Sequence, residues 1–457
     1  MRCSLIAVLF LFPFSGFSQN VNLKIAASYQ RFLNNEEVRH ATISLYVVNS
    51  NTGNIIFKKN EETGLPSGSV QKVITSVTAY ELLGADFRYN TSFSYTGIVR
   101  DSILLGTIHV KGCGDPTLGS NRYQYTSEYF IVKALKSNLS FKGIRQINGG
   151  IETDNSIWPV EGIPDHWIWQ DLGNYYGART DPINWKENQY DVILRSGKNT
   201  GDSVLIAGTK PSHLAGLHLR SVVTSAVAGS GDNTNIYLPV NDSFTFIRGT
   251  IPVNQLDFSV SGSLPDPAAQ LQSDLQQDLN ITNSLGQSSS GGQPVLIYNH
   301  LSPKLDSINY WFLQKSINLY GEALLKTIAY QLNNHGSTES GISVVKDFWS
   351  RRGIDNSSIK IFDGSGLSPE NRITTRAVVT VMQYARKQKW FNSFYNSLPE
   401  INKTKMKSGT IGGTLAYTGY VTNAVGVTYT FAFVVHNYEG SAKMMREKMW
   451  KIIDILK

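Results

Sequence analysis

The sequence predicts an α+β fold in which the two ends of the chain enclose a β-rich insertion, and three observations carry this reading. Residues 41–60, "ATISLYVVNSNTGNIIFKKN", alternate apolar and polar on either side of "NSNTGN", the pattern of a β-hairpin. Alternation returns near the other end in "VGVTYTFAFVVHN", followed by "SAKMMREKMWKIIDILK", an amphipathic helix. Between these ends, apolar residues recur at helical spacing on both flanks of a long stretch of short β-like runs.

Taken in order, the chain opens with Arg2, an apolar "LIAVLFLFPF" and the small residues of "SGFSQN", the layout of a secretory signal peptide. Cleavage is expected after Ser18, with Gly16 at the minus-three position. The apolar run is short and contains Pro13, which disfavours a retained membrane anchor. Cys3 precedes the apolar core, so a lipid-anchored cysteine at the cut is not expected. Removal of residues 1–18 leaves Cys113 as the one cysteine, so no internal disulfide can form and packing alone must hold the fold. A mature chain of roughly 440 residues predicts two or three domains.

After the hairpin, "LPSGSVQKVITSVTAYELLG" (Leu65 to Gly84) begins as a loop and continues as a helix. Val70, Val73, Ile74 and Val77 mark its apolar face, and it is expected to be central. Residues 90–290 are broken repeatedly by Gly, Asn, Asp and Pro, and "GQSSSGGQP" at 286–294 is a low-complexity boundary. "SPKLDSINYWFLQKSINLYGEALLKTIAYQL" then reads as two helices separated near Ser316. No second apolar stretch approaches the roughly 18 residues needed to span a bilayer. The net charge of +7 is spread without a basic block, which argues against nucleic acid and suits an anionic polymer such as a cell wall. The eight His residues form no His-x-x-x-His or Cys-paired cluster, so no metal or other cofactor is expected, and no Gly-x-Ser-x-Gly elbow occurs.

Candidate chemistry begins at Ser69 and Lys72. A Ser hydroxyl needs a base to become a nucleophile, and Lys can be that base once desolvation or nearby cations lower its pKa. At i and i+3 the two side chains share a helix face. The same Ser-x-x-Lys spacing recurs at Ser343/Lys346 and Ser357/Lys360, and an N-terminal helix cap is the alternative role for Ser69. Ser-x-Asn appears at Ser307/Asn309, within a helical run where the pair is expected to face solvent. It appears again at Ser316/Asn318, at the helix break, where it can project into a cleft or cap the following helix. "MKSGT" (Met406 to Thr410) occurs once. It offers a cation, two hydroxyls and a backbone N–H, with Gly409 allowing close approach. The order Ser-x-x-Lys, Ser-x-Asn, Lys-Thr/Ser-Gly belongs to penicillin-recognising serine enzymes, and of the three Ser-x-x-Lys pairs Ser69/Lys72 alone precedes a Ser-x-Asn pair of this region.

With these motifs the sequence resembles the class C low-molecular-mass penicillin-binding proteins, the D-alanyl-D-alanine carboxypeptidase/endopeptidase or peptidase S13 group. "GCGDPTL" (Gly112 to Leu118), "WQDLGNYYGA" (Trp169 to Ala178), "FDGSGLSPENRIT" (Phe362 to Thr374) and "YTGYV" (Tyr417 to Val421) extend the resemblance over the mature chain. So does the gap of roughly 245 residues between Ser69 and Ser316. The resemblance implies a transpeptidase-like catalytic domain, as in serine β-lactamases, from residues 19–88 and 290–457. It places an inserted domain at 89–180 and 262–289 and a third domain, 181–261, nested within it.

The resemblance further implies that Ser69 attacks the carbonyl of the penultimate D-Ala, with Lys72 as general base. Ser316 passes the proton to the leaving amine, Asn318 holds Lys72 and the substrate backbone, and Lys407 supplies positive potential. Ser408 and Thr410 bind the terminal carboxylate, and the N–H groups of Ser69 and Thr410 form the oxyanion hole. Asp171 and Tyr176 occupy the segment that faces the free amine of a diaminopimelate side chain, which favours cross-linked meso-diaminopimelate peptidoglycan; a turn-capping Asp171 is the alternative. β-Lactams are expected to acylate Ser69, and a periplasmic location of a Gram-negative-type cell, with peripheral membrane or wall association, is expected. Two departures stand out: Ser408 replaces a commoner Thr, and Pro369 stands where some members carry a basic residue, for which Arg372 is a candidate replacement. A β-lactamase and a non-catalytic wall-binding protein are the rival readings.

Overall fold

The computed structural model describes residues 15–159, 162–240, 243–282 and 292–457. The apolar core of the expected signal peptide and most of the low-complexity loop 286–294 lie outside the described residues.

The N-terminal hairpin and the C-terminal strands share one six-stranded antiparallel sheet. Its order is Glu400–Ile401, Thr404–Ile411, Thr414–Thr422, Thr428–His436, Thr42–Asn49 and Ile55–Lys59. The register Leu45↔Phe433 and Val47↔Phe431 joins residues from opposite ends of the chain. Period-two alternation sends Ile43, Leu45 and Val47 to one face, where they meet Ile25, Tyr29 and Phe32 of helix Ser15–Leu33 and Met445 and Met449 of helix Ala442–Ile453. Tyr46 and Val48 face the other way, onto the main helical core. Both faces are therefore covered, which is why Thr42–Asn49 and Thr428–His436 are buried along nearly their whole length.

Helix Lys72–Leu82 runs through the middle of that second core, and every residue from Lys72 to Tyr80 is buried. Val73, Ile74 and Val77 have no exposed surface, each contributing about 1.5–3 kcal/mol of apolar burial. Gly84, at φ +84°, follows the helix and supplies the left-handed stop that an L side chain rarely adopts. Helices Leu305–Gln314, Asn318–Asn333, Thr338–Ser350 and Thr375–Ala385 pack around it.

The inserted residues build separate sheets. One has the order Val295–Leu301, Asn90–Arg100, Ile103–Lys111, Gln146–Asp154 and is covered by helices Glu128–Phe141 and Pro267–Asp278. Segment 290–457, assigned whole to the catalytic unit, thus begins with a strand that pairs with Asn90–Arg100 instead. The remaining strands, Gln189–Arg195, Leu205–Lys210 and Phe258–Ser263 with a second small sheet built on Thr245–Pro252, enclose their own core around Val192, Ile236 and Ile247. Among the described residues no helix is long and apolar enough to cross a membrane.

Candidate active site

The site forms where the six-stranded sheet meets the start of the central helix. A 3-10 turn, Gly68–Gln71, precedes the α-helix, which begins at Lys72. Ser69 lies in that turn and caps neither element, so the capping alternative fails. Strand Thr404–Ile411 is pressed against the turn: a Cβ on Gly409 would lie 2.1 Å from the Ser67 carbonyl oxygen, and one on Gly68 2.9 Å from the Thr410 N. The close approach that Gly409 permits is thus between strand and turn, and it brings the backbones of Ser69 and Thr410 side by side.

Lys72 is fully buried and has three neighbours. Its Nζ donates to Asn318 Oδ1 at 2.6 Å and to the Ser365 carbonyl oxygen at 2.7 Å, and it lies 2.9 Å from Ser69 Oγ. The Asn318 amide is oriented by its own Nδ2, which donates to the Tyr176 carbonyl at 2.8 Å, so its oxygen must face Lys72. Both Asn318 Oδ1 and the Ser365 carbonyl can only accept. A neutral amine spends its two hydrogens on them, and its lone pair is then left to face the Ser69 hydroxyl.

Electrostatics favour that neutral form. Burial pushes the Lys72 ammonium well below its ordinary range, and the positive charge of Lys407 adds to the effect; Asp363 and Glu322 oppose it. Lys407 is buried as well, donates to the Ser408 carbonyl at 2.9 Å, and is lowered by desolvation to about 7. The charge on Lys407 thus favours the neutral amine of Lys72. The Asp363 carboxylate accepts from Gln71, Trp167, Asn371 and the backbone N–H groups of Gly366 and Ser368, which fixes the turn that presents the Ser365 carbonyl to Lys72.

Glu322, one turn after Asn318, accepts the Gly364 N–H at 2.8 Å, and burial followed by the Asp363 charge raises its carboxyl to about 8. It therefore keeps its proton in the folded state over a range where the unfolded chain, at an ordinary 4.5, has lost it. The folded protein binds more protons there, so stability is expected to fall as pH rises from about 4.5 through about 8 and to level off above. Glu322→Gln should flatten that slope in urea melts taken across this range, and an unchanged slope would contradict the assignment.

Ser316 lies between helices Leu305–Gln314 and Asn318–Asn333 at φ +57°, a left-handed conformation that costs a non-glycine residue about 1–3 kcal/mol. It caps neither helix. A cavity of about 610 Å³ is lined by Ser69, Ser316, Asn318 and Thr410 on one side and by Asp171 and Tyr176 on the other. Asp171 takes the Tyr176 phenol as its hydrogen-bond partner, and burial raises its carboxyl. Lys72, Lys407, Ser408 and Gly409 are not part of this lining.

Other expectations separate here. Ser307 is exposed, but Asn309 is fully buried, contrary to the solvent-facing pair expected, because its helix is covered on that side by Tyr80 and its neighbours. Ser343, Ser357 and Lys360 are exposed, away from the cavity. Pro369 lines the cavity, but Arg372 does not: its guanidinium donates to the Pro369 and Asn371 carbonyls. Asp363 and Glu322 went unrecognised as site residues; "DGSG", with its turn-forming composition, was the available signal for Asp363. Among the described residues no group of three or more His, Cys, Asp or Glu is placed to hold a metal ion.

A buried lysine beside a serine, at the mouth of a cleft between an antiparallel sheet and a helical layer, defines a serine acyl-transfer hydrolase of the penicillin-recognising fold. The chain belongs to the D-Ala-D-Ala carboxypeptidase 3 (S13) family, whose profile matches residues 25–456. It is a serine-type D-Ala-D-Ala carboxypeptidase/endopeptidase of the penicillin-binding-protein class, and the β-lactamase and non-catalytic readings give way to it. It is 24% identical over 439 residues to the D-alanyl-D-alanine carboxypeptidase of Actinomadura sp. (strain R39), covering 88% of this chain and 79% of the relative. It is also 24% identical over 425 residues to the D-alanyl-D-alanine carboxypeptidase DacB of Haemophilus influenzae, covering 87% and 86%. The crystal structure of penicillin binding protein 4 (dacB) from H. influenzae superposes with a TM-score of 0.75 at 22% identity, over 91% of this chain and 94% of that one.

Proposed function

We propose that Ser69 is the nucleophile and Lys72 its base, and one observation carries this assignment: Lys72 Nζ lies 2.9 Å from Ser69 Oγ, and its other two partners, Asn318 Oδ1 and the Ser365 carbonyl, can only accept. Attack on the penultimate D-Ala carbonyl forms the Ser69 ester bond. Lys72 takes the hydroxyl proton, and Ser316 returns a proton to the departing amine of the terminal D-Ala. Water then cleaves the ester. The N–H groups of Ser69 and Thr410 stabilise the oxyanion, a contribution of about 3 kcal/mol per donor in comparable sites. Lys407, with Ser408 and Thr410, receives the terminal carboxylate, and Asn318 holds both Lys72 and the substrate backbone. β-Lactams acylate the same serine.

For the substrate, half-buried Asp171 suits an ammonium, whose charge would offset the desolvation that now raises the carboxyl. This supports meso-diaminopimelate stem peptides and cross-links, and endopeptidase action on them by an exported, wall-associated enzyme of the periplasm. The catalytic unit is assigned to 19–88 and the part of 290–457 after strand Val295–Leu301, which joins the first inserted unit, 89–180 with 262–289; the second is 181–261.

Digestion of purified pentapeptide monomers and cross-linked dimers, beside labelling by fluorescent penicillin, tests this reading. Release of D-Ala and cleavage of dimers support it; labelling without either product would overturn the substrate assignment. Asp171→Asn is expected to lower kcat/KM about 10-fold on peptides with a free diaminopimelate amine and to leave N-acetylated peptides unaffected.

A further inference from the structure

Arg122 takes no part in acyl transfer, yet it stands where two cavities meet. The catalytic cavity continues into a second one of about 800 Å³, and Arg122 and Gln189 line both. The guanidinium is held from two sides. Its Nε donates to Glu187 Oε1 at 2.7 Å, and its Cζ lies 5.4 Å from the Trp311 ring centroid. Glu187 Oε1 also accepts from Ser120 Oγ and Tyr320 OH, each at 2.7 Å.

The anchor itself is strained. Lys186, Glu187 and Asn188 are consecutive left-handed residues at φ 53°, 57° and 51°, an arrangement costing about 1–2 kcal/mol per L-residue. It is locked by the Trp185 N–H donating to Asn188 Oδ1 at 2.8 Å and Asn188 Nδ2 donating to the Arg179 carbonyl at 2.7 Å. Such strain persists where the surroundings over-determine a geometry; the geometry kept here is that of Arg122.

With Nε engaged, the two terminal nitrogens of the fork have no protein acceptor among the described residues. On the wall of the catalytic cavity Arg122 is accompanied by exposed Lys315, against the single lining carboxylate Asp171. In the second cavity Glu128 pairs with Lys186 at 2.7 Å, and Asp191 accepts from Ser261. A planar cation held on its Nε edge offers a bidentate face to a carboxylate.

We propose that Arg122 binds a carboxylate of the stem peptide remote from the scissile bond and selects substrates in which that carboxyl is free. The proposal rests on the peptide-hydrolase reading of the site. A stem peptide has two such groups, the glutamyl and the diaminopimelyl carboxyls. Three synthetic pentapeptides separate them: both free, the glutamyl group amidated, and the diaminopimelyl group amidated. For the parent enzyme kcat/KM should drop about 10-fold or more on one amidated peptide, which identifies the source. In Arg122→Met that ratio should collapse to about one, and Arg122→Lys should retain part of it. A parent enzyme indifferent to both amidations, or an Arg122→Met variant that keeps the parent ratio, overturns the proposal. Ratios taken within one variant do not depend on its overall activity. Fluorescent-penicillin labelling of the same preparations reports the serine site separately, so failure of the peptidase reading would be seen there.

Discussion

Ser69→Ala is expected to abolish covalent labelling by fluorescent penicillin and to lower kcat on a D-Ala-D-Ala peptide by about 10⁴-fold or more. The hydroxyl oxygen is the sole heavy atom removed, and the 3-10 turn Gly68–Gln71 does not use it as a cap, so the turn should persist. Strand Thr404–Ile411 still packs on that turn through Gly409, so the backbone donors stay in place. Peptide binding should therefore survive while chemistry stops, giving a large fall in kcat with a small change in Kd. Labelling that persisted in the variant, at Ser316 or elsewhere, would displace Ser69 from its role.

Lys72→Met is expected to cost about 10²- to 10⁴-fold in acylation rate, the range lost when a positioned general base is removed. Methionine approximates the volume of the buried chain, but the variant leaves Asn318 Oδ1 and the Ser365 carbonyl without their donor, and some loss of stability should accompany it. The pH profile carries more information. In the parent enzyme kcat/KM should rise as Lys72, held well below its ordinary range, loses its proton, and should fall as Lys407 loses its own near about 7. The result is a bell in which both limbs come from lysines. A bound carboxylate favours charged Lys407, so the alkaline limb should move to higher pH in kcat than in kcat/KM. Lys407→Arg keeps its charge and should remove that limb while leaving the acid limb in place. An alkaline limb unchanged by this substitution would assign it to another group.

Most of the elements that build this site could be read locally. The hairpin around "NSNTGN", the helix after Ser69 and the break at Ser316 each follow from a few neighbouring residues, because turn chemistry and apolar periodicity act over a single turn or strand. The order of three short motifs was enough to choose Ser69/Lys72 over two other pairs of the same spacing. Asn309 shows the limit of such reasoning. Its position in a helix was legible, but its burial was not, since the helices and strands that cover it come from distant parts of the chain.

The sequence by itself determined which residues are the candidates for the chemistry and where the chain turns. The tertiary structure alone decided their state. Lys72 meets Asn318 across 246 positions and Ser365 across 293, and it is these contacts, together with burial beside Lys407, that favour a neutral amine there. Asp363 and Glu322 entered the site the same way, as carboxyl groups whose role depends on what is packed around them. A pKa is set by desolvation and by charges within a few ångströms in space, and no local pattern in a chain encodes that distance.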